Sequence, residues 1–395
     1  MSRAVLERDV NESGKVPFHV SLPTAAMWDH EPKCQALMRE AMVWCQQVTG
    51  HDPKHSCMFG DILEMLPGSL AEYSTYESKL AMTKSWSLKR SCKCMSHGAF
   101  CSPFKPSCID VSGLPCPDFS RAGLQRGRHG PTIPVYMTHG RWAKESRTPL
   151  LLVECTPDLD IDMLQDCHPG YSWHQMYSEP GDFGFSATAR KRTWVIGSND
   201  NRNICRADPY ELLDEIKIAM KDVHVRVRDY LVASEAEVHM EALRVANLKR
   251  MDNFRPGIDP MSLLLNLREV QTMSELNQKY HSRTGFPAET DRDLAYFLGD
   301  SATYCSWSAA SGKLPTYRLT QGRFWLPAVQ RWLTSKERLC SMGYPVVKEM
   351  SLGMGQVPLV GAVDPEKAAE RLGNAMHFTT SGIFQCIALS CFGPQ

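Results

Sequence analysis

Three short apolar segments constrain the fold of this chain more than any other feature of its sequence. The segments are CIDVSG (108–113), LLLVE (150–154) and RTWVIGS (192–198), and residues 132–145 between the first two have the apolar spacing of a helix. Strands that alternate with helices are typical of a parallel sheet with helices on both faces. The sequence therefore predicts an α/β fold.

Composition restricts the class of protein. A chain of 395 residues that is 43% apolar can bury a sizeable core, and its formal net charge of zero excludes a protein that coats nucleic acid by charge alone. The 15 cysteines are odd in number, and no apolar leader segment precedes them. We therefore expect reduced thiols in an intracellular protein. The apolar run at 383–392 is too short to span a bilayer, so no membrane partner is expected.

The pattern changes after residue 198. Residues 208–250 are predicted to be almost continuously helical, with Asp208 as the cap and Pro209 in the first turn. Residues 251–330 are mixed and rich in loops, and residues 67–107 are interpreted as an irregular insertion. The predicted architecture is one sheet domain, formed by residues 1–198 and 331–395, interrupted by a largely helical region at 199–330.

Several residues that could take part in catalysis or ligand binding lie at the ends of the predicted strands. Cys116 lies between two prolines in GLPCPDFS (113–120), a rigid frame that a fold uses when the direction of a side chain matters. Glu154 ends an apolar strand, where a carboxylate is costly unless it is paired or used, although a solvent-exposed strand end is the alternative. Asp29 and Asp61 also follow predicted strands, and ligands of open sheets bind at such carboxyl ends.

A basic trio, Arg190, Lys191 and Arg192, precedes the third apolar strand. Such a group is usually a solvated edge. The functional alternative is a fork that binds a carboxylate, a phosphate or a base edge.

Five segments resemble, in order, the motifs of the cytosine carbon-5 DNA methyltransferases: PCPDFSRAG, VECT, DFGFSATARKRTWVIG, RWLTSKERLCSMGYP and GNAMH. In that family a Pro-Cys loop carries the nucleophile, a Glu-Asn-Val triplet follows, and then a Gln-x-Arg-x-Arg run. The resemblance covers residues 108–378. It implies an S-adenosylmethionine-dependent methyltransferase (Rossmann-like) sheet domain with a target recognition region at about 199–330, acting on double-stranded DNA in the nucleus.

The resemblance implies four catalytic residues. Cys116 matches the nucleophile that adds to carbon-6 of cytosine, and Glu154 matches the carboxylate that contacts ring nitrogen 3 and the exocyclic amine. Arg192 matches the arginine expected to reach the base carbonyl, with Arg190 supporting the loop and Glu154. The base must leave the duplex to reach this pocket.

Two further sets of residues follow from the resemblance. Arg121, Arg126 and Arg128, just past the nucleophile, are implied DNA contacts, with a mobile polar loop as the alternative. The implied cofactor-binding residues, for S-adenosylmethionine, are Asp29 at the ribose, Asp61 at the adenine amine, Pro115 and Asn374. A register shifted by two would align Trp28 with a family tryptophan and place Met27 at the acidic position.

The sequence departs from the family at its start. The glycine-rich cofactor loop that ends the family's central first strand is not found, since Gly14 and Gly50 are the only glycines up to residue 50. We expect a gap in the sheet, and either a truncated start, another segment in that place, or weakened cofactor binding. Glu-Asn-Val has become Glu154-Cys155-Thr156, and Thr188 replaces the glutamine of the arginine run.

A cysteine-rich segment lies within the predicted insertion. Cys92, Cys94, His97, Cys101 and Cys108 could supply zinc ligands, but the common C-x-x-C pair is missing. Reduced surface thiols are the simpler interpretation, and no metal site is predicted.

The sequence leaves three functions open. The first is a DNA (cytosine-5-)-methyltransferase, and the second is a truncated or inactive homologue that binds DNA or a partner. A tRNA cytosine methyltransferase ranks below both, because the Cys-Phe-Thr signature of that branch does not occur in this sequence. The target sequence, the distinction between de novo and maintenance activity, and the oligomeric state are not predicted.

Overall fold

The computed structural model describes the chain except residues 1–3, 7–17, 21–23, 51, 122, 185, 319–321, 355–357 and 360–362. Its strands, numbered β1 to β15, are Ala4–Leu6, Phe18–Val20, Ala26–Trp28, Cys57–Phe59, Cys92–Lys93, Phe100–Cys101, Ile109–Gly113, Leu150–Cys155, Tyr171–Ser178, Arg192–Asn199, Asn203–Cys205, Tyr296–Phe297, Phe324–Leu326, Arg331–Trp332 and Phe392–Pro394. Its helices, numbered α1 to α11, are Pro32–Thr49, Tyr76–Ser85, Ile133–Ser146, Ile161–Cys167, Pro209–Met220, Glu235–Leu248, Leu267–Thr284, Ser335–Ser341, Lys348–Gly353, Pro365–Ala369 and Phe378–Cys391.

The main sheet has four strands in the order β7-β8-β10-β9. Strands β7 and β8 are parallel, as predicted, whereas β10 is antiparallel to both β8 and β9. The α/β fold class is confirmed, but the prediction of a parallel sheet is wrong beyond its first two strands. The reason is β9, which the sequence pattern did not indicate. The connection from β9 to β10, residues 179–191, contains no α-helix among its described residues, whereas parallel neighbours need a crossover that is usually an α-helix.

A second, smaller sheet lies on the amino-terminal side. Strands β3 and β4 form a parallel pair, and among the described residues no strand joins this pair to the main sheet. Residues of both sheets nevertheless share one core, in which Cys57 and Phe59 from β4 pack in the same cluster as Leu151 and Val153 from β8. The separation agrees with the gap expected where the family has its first strand.

Helices α5 and α11 cover the opposite face of the main sheet. Trp194 of β10 stacks on Phe384 of α11 with ring centroids 4.8 Å apart and planes 7° from parallel. Leu213 of α5 belongs to the same buried cluster. Helix α10, which Asp364 caps, ends at Ala369, and the apolar run near the carboxyl terminus forms a further helix, α11.

The predicted continuous helix at 208–250 is two helices. Asp208 caps α5 as expected, since its carboxylate accepts from the Tyr210 N–H at 2.8 Å. The chain then leaves α-helical geometry, and Val227 and Tyr230, in a short 3-10 helix, are buried in a cluster that the insert shares with residues after 330. Helix α6 starts afresh at the Ser234–Glu237 capping box. Burial of two large side chains thus overrides the local helical pattern.

The interpretation of residues 67–107 as irregular is also wrong in part. Helix α2 lies within it, opened by a reciprocal capping box between Thr75 and Ser78. Strands β5 and β6 form a hairpin with Cys92 opposite Cys101. The polar composition of residues 67–107 gave no indication of α2, because the apolar spacing that predicts amphipathic helices is nearly absent there.

The inserted region has its own core, to which α6 and α7 contribute Ala242 and Leu276, and β13 contributes Trp325. The domain bounds 1–198, 199–330 and 331–395 stay a prediction. No helix among the described residues is both long and apolar enough to cross a membrane.

Two buried histidines make the fold sensitive to acid. Burial, and then the neighbouring His139, lower the pKa of His168 from 6.5 to about 3. Burial, and then the charge of Arg190, lower that of His377 to about 3. The unfolded chain takes up these protons near pH 6.5 and the folded chain does not. The contribution of the two histidines to the free energy of unfolding is therefore fully present above pH 6.5. It falls as the pH drops, by about 1.4 kcal/mol per pH unit for each histidine.

We expect urea denaturation to show a clear loss of stability between about pH 7 and about pH 5, a range above the ordinary carboxyl pKa values. His377→Asn, which keeps a capping side chain at the start of α11, should make the loss smaller. An unchanged unfolding midpoint across this range would contradict the prediction.

Candidate active site

The Pro-Cys loop follows β7 and is fixed on both sides of the cysteine. The carbonyl of Cys116 accepts from the N–H groups of Phe119 at 3.0 Å and Ser120 at 2.8 Å, which closes a tight turn. The carbonyl of Pro115 accepts from the hydroxyl of Tyr136 on α3 at 2.8 Å. Tyr136 is fully buried, so the loop is anchored to the core directly before the half-buried cysteine.

Asp118 holds the chain that returns from this loop, a role that the sequence reasoning missed. Its buried carboxylate accepts from the Thr132 N–H at 2.9 Å and hydroxyl at 2.6 Å. A Cβ atom at Gly130 would lie 1.9 Å from Cγ of Asp118, and one at Gly123 would lie 2.0 Å from the carbonyl oxygen of Pro117. The loop can close only because both positions are glycine. These two glycines after the cysteine are the feature of the sequence that could have indicated the tight loop.

The strand register places Glu154 between the loop and the arginines. In the parallel pair Gly113 lies opposite Glu154, and in the antiparallel pair Glu154 lies opposite Trp194. Arg192, two residues before Trp194, shares its face of the strand. Its Nε lies 2.9 Å from Oε1 of Glu154, and Nη2 of Arg190 lies 3.6 Å from the same oxygen. The carboxylate is thus buried and paired rather than exposed at a strand end.

Cys116 interacts electrostatically with Glu154 and the two arginines. Burial raises the pKa of the Cys116 thiol, Arg192 opposes this rise, and Glu154 adds to it. Burial, and then the charge of Arg192, lower the pKa of Arg190 to about 10, while Glu154 acts in the opposite direction. Cys116 therefore lies close enough to Glu154, Arg190 and Arg192 for their charges to act on its thiol, and burial favours the protonated thiol.

The arginine run is braced from outside the sheet. The Thr188 hydroxyl donates to the carbonyl of Ser341 at 2.9 Å. The N–H of Ala189 donates to the carbonyl of Leu314, in the inserted region, at 2.8 Å. The insert is thus in direct contact with the loop that carries the arginines.

Two of the predicted cofactor residues lie at the ends of the parallel pair. Asp29 follows β3, and its Oδ1 accepts from the Glu31 N–H at 2.8 Å. Asp61 follows β4 in the same way, with Oδ1 accepting from the Leu63 N–H at 2.9 Å. Both carboxylates are half-buried, and one oxygen of each fixes a backbone turn.

The segment around Asn374 connects the two halves of the site. Nη1 of Arg190 donates to the carbonyl of Gly373 at 3.4 Å, and Arg371 forms an ion pair with Glu31 at 3.6 Å. Asn374 itself is exposed. The structure thus brings Asp29, Asn374 and the arginines into one region, and their roles toward a cofactor stay predictions.

The three arginines past the nucleophile differ from one another. Arg126 is exposed, and Arg121 forms an exposed ion pair with Asp158 at 3.6 Å. Arg128 instead makes two hydrogen bonds to the carboxylate of Asp160, at 2.6 and 3.0 Å. The guanidinium of Arg128 is therefore already hydrogen-bonded within the protein. Contact between Arg128 and DNA would require its pair with Asp160 to break.

The chain is similar to solved methyltransferase structures at low sequence identity. The S. pombe Dnmt2 methyltransferase matches 93% of this chain and 91% of its own, with 12% identity and a TM-score of 0.43. The Entamoeba histolytica methyltransferase EhMeth matches 93% and 99%, with 9% identity and a TM-score of 0.40, and a Spodoptera frugiperda DNMT2 variant matches 93% and 100%, with 11% identity and a TM-score of 0.36. No family model and no curated protein matches the sequence.

Proposed function

We propose that this chain is a DNA (cytosine-5-)-methyltransferase, which transfers a methyl group from S-adenosylmethionine to carbon-5 of a cytosine flipped out of double-stranded DNA. The observation that carries the proposal is the cluster of Cys116, Glu154, Arg190 and Arg192. A cysteine in a rigid loop stands beside a buried carboxylate that two arginines pair. This set supplies what attack on a cytosine ring needs, namely a soft nucleophile and groups that stabilise charge in the ring.

The chemistry assigns each side chain a role. The Cys116 thiol passes its proton, by way of water, to ring nitrogen 3, and its sulfur bonds to carbon-6, which shifts the ring electrons toward carbon-5 and makes that carbon nucleophilic. Glu154 keeps Oε1 on the arginines, and its other oxygen accepts from the exocyclic amine and from ring nitrogen 3, which carries a proton in the adduct, while Arg192 faces the base carbonyl. Loss of the carbon-5 proton to water after methylation then breaks the bond between sulfur and carbon-6, and the expelled thiolate takes back the proton from ring nitrogen 3.

The cofactor fits the residues that are present at the parallel pair. Trp28 stacks on Phe59 with ring centroids 4.5 Å apart, beside the carboxylates of Asp29 and Asp61. Within the part of the chain that the structure describes, the buried Nε1–H of Trp28 has no hydrogen-bond partner, which suits a site that a polar ligand completes. S-adenosylmethionine, when bound, supplies an electrophilic methyl group. Asp29 would hold its ribose and Asp61 its adenine amine.

The alternative function is a homologue that binds DNA or a partner without transferring a methyl group. The separation of β3 and β4 from the main sheet favours it, because the family's cofactor loop belongs at that gap. A tRNA substrate is a further alternative, and the proposed reaction chemistry would be the same.

Titration of the full chain with S-adenosylhomocysteine by calorimetry separates enzyme from binding module. We expect micromolar binding, and Asp61→Ala should weaken it about tenfold or more, the loss of a hydrogen bond to a charged group. Asp208→Ala is the matched control, because its carboxylate caps a distant helix in the same manner. Absence of binding by the wild type would overturn the methyltransferase proposal and leave the binding module.

The arginines past the nucleophile give a second test on DNA. Arg126→Ala should weaken duplex binding at all sequences and reduce the slope of log affinity against log salt by about one, without changing stability. Arg128→Ala should instead cost up to about 1 kcal/mol of stability, because its pair with Asp160 is partly exposed. Fluorescence anisotropy over a salt series and urea denaturation measure the two effects. Equal salt slopes for Arg126→Ala and the wild type would contradict the assignment.

A further inference from the structure

Four potential metal ligands from two distant parts of the sequence meet beside β4. They are Cys57, Cys94, His97 and Cys101, and their ligand atoms all lie within 4.8 Å of one another. Cys57 belongs to a buried strand, whereas the other three lie on the β5–β6 hairpin and its turn. The fold therefore adds to C-x-x-H-x-x-x-C a fourth ligand that sequence spacing could not reveal.

The distances match tetrahedral coordination. Nδ1 of His97 lies 3.2 Å from Sγ of Cys94, 3.4 Å from Sγ of Cys101 and 3.7 Å from Sγ of Cys57. Zinc–sulfur bonds of about 2.3 Å and zinc–nitrogen bonds of about 2.0 Å at tetrahedral angles place sulfur and nitrogen about 3.5 Å apart. A single ion at the centre would thus reach all four atoms.

A hydrogen bond outside the cluster sets the orientation of the histidine. Nε2 of His97 lies 2.7 Å from the carbonyl oxygen of Lys54, so Nε2–H donates and Nδ1 is left unprotonated toward the three sulfurs. Metal-binding histidines are oriented by such a donation to a carbonyl or carboxylate. Lys54 lies outside both the hairpin and β4, so a separate segment of the chain orients the imidazole ring toward the sulfurs.

The backbone supports the same arrangement. The N–H of Cys94 donates to the carbonyl of Ala99 at 2.8 Å, and the N–H of Met95 donates to the carbonyl of Met58 at 2.7 Å. Gly98, with φ of +63°, makes the turn between the ligands. The ligand turn is therefore already attached to β4 next to Cys57, and little reorganisation is needed to bind an ion.

We propose that Cys57, Cys94, His97 and Cys101 form a structural zinc site that fastens the β5–β6 hairpin to β4. Three thiolates and one imidazole complete a tetrahedral sphere, so the site has no open position for catalysis. This revises the sequence interpretation of surface thiols. The remaining cysteines of the segment, the buried Cys92 and the exposed Cys108, are not among the four residues of the cluster.

The test is the zinc content of the purified full chain, measured by mass spectrometry of the metal. We expect one zinc ion per wild-type chain, and a loss of most of it in Cys101→Ser. Cys108→Ser is the matched control, since it removes an exposed thiol from the same segment and should keep the metal. Cys101→His should retain zinc, because it restores a ligand, and this variant separates loss of the ligand from general misfolding.

Replacement of zinc by cobalt adds a signature of the ligands. The wild type and Cys108→Ser should show thiolate-to-cobalt charge transfer and the visible bands of tetrahedral cobalt, and Cys101→Ser should lose part of the charge transfer. Wild-type chain that holds no stoichiometric zinc after expression with added zinc would overturn the proposal. Equal zinc in Cys101→Ser and the wild type would do the same, and a Cys94–Cys101 disulfide found in place of the metal would contradict it as well.

Discussion

Cys116→Ser should abolish covalent trapping of the protein on duplex DNA that contains 5-fluorocytosine, and should lower methyl transfer about 10³-fold or more. Fluorine at carbon-5 cannot leave as the proton does, so an enzyme that attacks carbon-6 stays bonded to the base. The serine hydroxyl has a far higher pKa than a thiol, and burial at this position already disfavours the charged form of the thiol. Serine therefore keeps the shape of the site and loses its nucleophile.

Denaturing electrophoresis of the protein–DNA mixture, with and without S-adenosylmethionine, measures the adduct. Cys108→Ser serves as the control, because it removes an exposed thiol outside the cluster and should trap like the wild type. Trapping that persists in Cys116→Ser would move the nucleophile to another residue. A wild type that binds the duplex and never forms an adduct would support the binding module.

Glu154→Leu should destabilise the fold by about 3–5 kcal/mol, the cost of leaving a buried charge without its partner. Arg190 is almost fully buried, and its guanidinium lies near only one other acceptor in the described structure, the carbonyl of Gly373 at 3.4 Å. Removal of the carboxylate would leave two neighbouring positive charges, those of the buried Arg190 and the half-buried Arg192. Repulsion then adds to the lost pairing.

Arg190→Met tests the same cluster from its other side and should cost less stability than Glu154→Leu. Glu154 would keep Arg192 at 2.9 Å, so no buried charge is left unpaired. Urea denaturation of the wild type and of both variants gives the order of stabilities. If Arg190→Met were the less stable of the two, the pairing derived from the structure would be wrong. Both variants should lose methyl transfer, since each removes a predicted catalytic group.

Sequence reasoning selected the four residues predicted as catalytic because local features marked each of them. Cys116 stands between two prolines, Glu154 interrupts an apolar run, and the arginines precede the next strand. In a sheet, strand ends meet at one edge, so these separate features converge in space. The structure brings all four residues together, and it shows in addition that the arginines pair with Glu154 rather than with solvent.

The features that sequence reasoning missed depend on contacts between segments that are distant in the sequence. Strand β9, YSWHQMYS, mixes aromatic and polar residues and is only partly buried, and its place in the sheet depends on pairing with β10. Asp118 acts through Thr132, fourteen residues later. Cys57 joins ligands that lie about forty residues away. Neither of these last two partnerships has a spacing rule that a single sequence could show.

The most direct measurement is the fate of a labelled methyl group. The full chain would be incubated with S-adenosylmethionine carrying a deuterated methyl group, together with duplex DNA or with RNA, and the digested nucleosides would be analysed by mass spectrometry. The proposed function predicts deuterated 5-methyl-deoxycytidine from DNA, and none from Cys116→Ser. Label found only in cytidine of RNA, or in neither polymer while the chain binds S-adenosylhomocysteine, would contradict it.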